Sequence, residues 1–191
     1  MDIRKLFTAT NQALNDIVII INDDDLNLDV PQHMAYSDGQ TLRTTLNILA
    51  YENACVPRML AGEKDIPSND KLTDDYLQND FVSRYAELTA SANAAAESCD
   101  LDKTVYMSYA TVPANQYLND IIIQRSTAAF DIAQLAGITF QWPEELVQGI
   151  WDITEPNAPM LREYGVFPPE VNIAPTATTQ DKLIALTGRQ P

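Results

Sequence analysis

Histidine is nearly absent from this chain, at one residue in 191, His33. Zinc or nickel sites built on several imidazoles need more than that, and no serine or cysteine nucleophile with a matching His and Asp set is recognisable. His33 lies in the loop VPQHMAY and is read as a solvated or capping side chain rather than a ligand. Cysteine is almost as scarce. Cys55 and Cys99 are far apart and lack metal-type spacing, so they are read as two buried thiols in a reducing compartment. Six glycines include no phosphate-cradling loop. Positive charge is short as well, with 12 basic residues against 27 acidic ones and a formal net charge of −15. Repulsion from phosphate opposes nucleic acid and anionic membrane surfaces, and neither is expected as a partner. The longest apolar run, Ile17 to Ile21 (IVIII), is far below the roughly 18 to 20 residues of a membrane span. The start, MDIRKLF, carries no apolar h-region, which predicts a cytoplasmic location.

What the chain does have is helical periodicity. With 46% hydrophobic residues it can bury one sizeable core. Ile3, Leu6, Phe7, Thr10, Leu14, Ile17, Val18 and Ile21 recur at spacings of three and four, a helix of about five turns. The acidic cluster from Asn22 to Asp25 should end it, because anions are disfavoured at a helix C-terminus. Ser37-Asp38-Gly39 supplies capping residues for a second helix, with Leu42, Leu46, Leu49, Asn53, Val56 and Leu60 on one face and Gly62 as its stop. Pro57 predicts a kink near Asn53 or a fresh last turn. After the acidic linker Glu63 to Asp70, Thr73 with Asp74 and Asp75 predicts the start of a third helix carrying Tyr76, Leu77, Phe81, Tyr85, Leu88, Ala92, Ala95 and Cys99. TVYMSYATV, residues 104 to 112, is the one strand candidate, an extended segment or hairpin arm. A fourth helix should run from Pro113 to Gly137, a shorter one should follow Pro143 (EELVQGIWDI), and QDKLIAL should form a last short one. The expected fold is mainly all-α: a four-helix bundle over 1–140, with 141–191 packed on it as an extension of the same structural unit.

The spacing of LNILAYENACVPRMLAGE, VPANQYLNDIIIQRSTAAFDIAQLAG, GVFPPEV and the terminal TQDKLIALTGRQP resembles the DinB-like proteins related to the mycothiol-dependent maleylpyruvate isomerase metal-binding domain. The most specific part is the closing LxGRxP pattern, which resembles one subgroup of metal-binding proteins. The resemblance implies a four-helix bundle holding a divalent metal such as Zn²⁺ or Ni²⁺, ligated by a His from the second helix and by a carboxylate or His plus a further His from the fourth. That metal would activate a thiol or water.

Carried over residue by residue, the ligand positions fall on Ile48, Gln124 and Ala128, with Asn47, Phe130 and Asp131 matching neighbouring motif positions. Ile, Gln and Ala offer a divalent transition metal no strong donor, so no cofactor is expected. Ile48 and Ala128 are expected to face each other across a drier site, and Gln124 to find a partner in Asn47, Tyr51 or Asp120. Glu52 and Asp120 lie one helical turn from the ligand positions; they can serve as a solvated face or hold a hard cation such as Mg²⁺ or Ca²⁺, and with Asp131 they can do acid and base chemistry if burial raises one pKa. Asp131 is expected to bond a backbone group or an arginine at the bundle end. The functional expectation is a non-catalytic bundle that binds a small molecule or a protein, or pairs as a homodimer. The alternative is a thiol-dependent transferase or isomerase working without metal or with a relocated cation.

Overall fold

In the computed structural model, residues 1–31, 34, 39–67, 72–108 and 110–191 are described. His33, the Ser37-Asp38 capping pair, the end of the acidic linker and Tyr109 lie outside them. Among the described residues the fold is a mainly helical bundle with one small hairpin. The helices are α1 (Ile3–Ile20), α2 (Leu42–Leu60), α3 (Phe81–Ser98), α4 (Ala114–Leu135), α5 (Glu144–Glu163) and α6 (Thr179–Leu186). A 3-10 turn, Asp25–Asn27, follows α1, and strands β1 (Thr104–Tyr106) and β2 (Thr111–Pro113) pair antiparallel with Val105 opposite Val112. The segment expected to be extended thus supplies both arms of the hairpin.

α1 packs against α3 and α4, and α3 against α2. α2 and α4 do not approach as closely, and long side chains span the space between them. Leu14, Val18, Leu46, Leu118 and Ile122 fill the centre. The same apolar cluster takes in Leu146, Val147, Ile150 and Leu183 from the 141–191 region. The Arg4 guanidinium donates to the carbonyl of Cys99 at 3.0 and 3.2 Å, supplying a partner at the C-terminus of α3.

Three helix boundaries differ from the expectations. α3 begins at Phe81 behind an Asp80 cap, not at Thr73. Asn47 Oδ1 accepts from the amides of Tyr76 and Leu77, and Asp75 Oδ1 from those of Leu77 and Gln78. Side chains capture these backbone donors in a turn that ends with Gln78 at φ 55, so no helix propagates through them. α2 is capped by Thr41, whose hydroxyl accepts from Thr44 N at 3.4 Å, and it runs unbroken through Pro57.

The helix after Pro143 is long, 20 residues, and passes through Pro156 and Pro159. Both prolines are exposed, as are Asp152 and Glu155, whose carbonyls they deprive of a donor. Water can serve those carbonyls, while Leu146, Val147, Ile150 and Ala158 bury the opposite face. α6 carries a full capping box between Thr178 and Asp181. No helix among the described residues is long and apolar enough to cross a membrane.

Candidate functional site

The space between α2 and α4 is a cleft of about 770 Å³. Its floor is one face of α4: Tyr117, Asp120, Gln124, Thr127, Ala128 and Asp131 follow one another at helical spacing. α2 supplies Leu49, Tyr51, Glu52, Cys55 and Met59 as the facing wall. The hairpin adds Met107, and the end of α5 with the segment after it adds Met160, Tyr164, Val166 and Phe167. Met34, Met59, Met107 and Met160 all line the cleft, which leaves Met1 as the only methionine of the chain elsewhere.

A buried polar cluster stands behind the α2 wall. Gln124 Nε2 donates to both Glu52 oxygens, at 3.1 and 2.9 Å. Arg125 Nη1 donates to Glu52 Oε2 at 2.9 Å, and its Nη2 to Leu49 O and Asn53 Oδ1 at 3.4 and 3.3 Å. Asn53 passes the chain on to Thr89 Oγ1 at 3.1 Å. The Arg125 side chain is 1% exposed and that of Glu52 15%. Such a guanidinium is retained only because carboxylate, carbonyl and amide oxygens surround it. Next to it, burial pushes the Tyr85 hydroxyl up to about 12, and the nearby Arg125 charge opposes that shift.

A second arginine closes the far end. Arg189 Nε and Nη2 each donate to Asp131 at 2.7 Å, a bidentate pair that ties the C-terminal tail to α4. Gly188, at φ 78, makes this approach possible, since a Cβ there would lie 2.7 Å from the carbonyl oxygen of Pro168. Of the two partners expected for Asp131, a backbone group or an arginine, the structure shows an arginine.

Asp120 differs from the other two cleft carboxylates. Its Oδ1 accepts from Gln116 Nε2 at 2.7 Å, and no arginine or lysine pairs with it among the described residues. Burial pushes its carboxyl above the ordinary aspartate value, partly offset by the Gln116 hydrogen bond. Burial also pushes the Cys55 thiol up, so it is a poor nucleophile here. The Tyr51 hydroxyl donates to Pro67 O and is raised chiefly by burial, then by its neighbour Cys55.

The structure brings together Tyr51, Glu52, Asp120, Gln124, Ala128 and Asp131 around the cleft and leaves out three residues named from the sequence. Ile48 is buried but does not line the cleft, so it does not face Ala128 there. Asn47 is committed to the loop before α3, donating to Asp74 O at 2.9 Å and accepting from Tyr76 and Leu77. Phe130 stacks with Phe140 and Trp142, at centroid distances of 5.8 and 4.8 Å, in the core. The partner of Gln124 is Glu52, not Asn47, Tyr51 or Asp120. Arg125 and Arg189 were missed as site residues, although an arginine beside Gln124 on an apolar helix and the arginine of LxGRxP were both visible.

A divalent metal does not fit this arrangement. Among the described residues no three His, Cys, Asp or Glu side chains gather to hold one. Glu52, which accepts from Gln124 at one of the implied ligand positions, already has the Arg125 cation at hydrogen-bonding distance. Comparison with known families, curated proteins and solved structures gave no match to this chain.

Proposed function

We propose that the chain is a DinB-like bundle that has exchanged the family's metal for an internal guanidinium and binds a small, mainly apolar molecule in the α2/α4 cleft, without catalysis of its own. The observation that carries this reading is the Arg125 and Glu52 pair. A carboxylate at the head of the cleft is already neutralised by a buried cation, which removes its affinity for a metal ion and leaves the walls to bind by apolar contact. The volume matches that of small-molecule sites, which are concave, mostly apolar and carry few polar groups. Four methionines suit such a role, because an unbranched, polarizable side chain adapts to the shape of its ligand. A thiol nucleophile finds no support in Cys55, whose burial favours the protonated form.

The test uses the neutral dye Nile red with the intact chain and with Ala128→Trp, which places an indole on the cleft floor. Saturable binding at one dye per chain with a blue-shifted emission is expected, and the substitution should abolish it while the helical circular dichroism stays unchanged. Absence of saturable binding, or binding indifferent to Ala128→Trp, contradicts the proposal.

A further inference from the structure

The cleft is apolar along most of its walls, yet among the described residues its charges do not balance. Glu52, Asp131 and Asp120 are the three carboxylates among the described residues that line it. Arg125 neutralises the first and Arg189 the second. Asp120 has only the Gln116 amide, so one half-buried negative charge faces the cleft without a cation from the chain among the described residues. An ionised carboxylate removed from water costs free energy unless a positive group or several donors replace the lost hydration. Its second oxygen, Oδ2, has no hydrogen-bond partner among the described residues and is not one of the fully enclosed unpartnered atoms, so a ligand can reach it.

We propose that the cleft recognises an organic cation, a primary amine on an apolar body, whose ammonium pairs with Asp120 while the body lies along Ala128, Ile121 and the methionines. This rests on the reading of the cleft as a small-molecule site and adds the charge of the ligand. Three features favour an ammonium over other occupants. Asp120 lies on the same helix face as Gln124 and Ala128, so a chain leaving an ammonium there runs along the α4 floor and meets Ile121, Leu49 and the methionines that line the cleft. A metal ion needs several oxygen ligands, and no third acidic, His or Cys side chain joins Asp120 among the described residues. A net charge of −15 raises the local concentration of cations and repels carboxylates and phosphates. The raised carboxyl of Asp120 agrees with a group buried before its counter-charge arrives.

The experiment compares n-octylamine, n-octanol and n-octanoate, which share one apolar body and differ in the charge of the head, by isothermal titration into the full chain. Octylamine should bind about tenfold or more tightly than octanol, and octanoate should bind most weakly. Asp120→Asn, similar in shape, should bring octylamine down to the octanol affinity and leave octanol unchanged; Asp120→Ser carries the same test if the amide variant does not fold. Equal affinities for amine and alcohol, or an amine preference that survives both variants, overturn the assignment of the cation while leaving the apolar cleft intact. Tightest binding of octanoate overturns it too. If none of the three binds, the small-molecule reading of the cleft falls with it.

Discussion

Arg125 reaches across the bundle to Glu52, with Nη1 2.9 Å from the carboxylate and the guanidinium almost wholly enclosed. Removing only the cation leaves a mostly buried carboxylate without its counter-charge. Arg125→Met should therefore cost about 3 kcal/mol or more of unfolding free energy, measured by urea denaturation. Combining it with Glu52→Gln should cost clearly less than the two single losses added together, since neither orphaned charge remains. Additive losses would mean that the two side chains are not coupled.

Asp120 gives a pH-dependent test. Its folded carboxyl is raised by burial, whereas in the unfolded chain it titrates near the ordinary value of about 3.9. The folded state therefore binds this proton more tightly, and stability from this group falls as pH rises through the window above the ordinary value. Asp120→Asn should raise the melting temperature at neutral pH, and the gain should shrink on acidification and vanish below the ordinary aspartate range. A gain independent of pH, or a loss at neutral pH, would contradict the burial of an unneutralised charge.

The C-terminal tail should behave as a latch on α4. Gly188→Ala forces a Cβ against Pro168 at a positive φ and should cost about 2 kcal/mol. Arg189→Ala leaves Asp131, 7% exposed, without its bidentate partner and should cost about 3 kcal/mol. Both variants should speed hydrogen exchange in α6 more than in α1. Uniform acceleration in both helices would show that the tail does not open by itself.

The helices were legible where apolar spacing and the stop signals agreed. The stripe from Leu6 to Val18 and the Pro113 and Gly137 boundaries of α4 correspond to observed elements. The misreadings came from tertiary contacts that no local pattern carries. Asn47, distant in sequence, holds the 74–77 turn out of the helix, and the solvent exposure that makes Pro156 and Pro159 tolerable depends on which face of α5 packs. In the site, the i and i+4 phase placed Asp120, Gln124 and Ala128 on one face. The pairing of Glu52 with Arg125 depends on the distance between α2 and α4, which phase alone does not fix.

Acidity should make the fold sensitive to salt. At a net charge of −15, self-repulsion opposes compaction, and screening over a Debye length of roughly 10 Å at 0.1 M relieves it. The melting temperature should rise between low salt and about 0.5 M NaCl. A flat profile would mean that the acidic groups are too dispersed to matter.

The exchange of a metal for a guanidinium is tested most directly by isothermal titration of Zn²⁺ and Ni²⁺ into the purified chain at neutral pH after chelator treatment. With Arg125 on Glu52 and, among the described residues, no imidazole beside Gln124 or Ala128, neither ion should bind more tightly than about millimolar, a free energy of roughly 4 kcal/mol. Uptake of one ion per chain at micromolar affinity, abolished by Glu52→Gln, would contradict it.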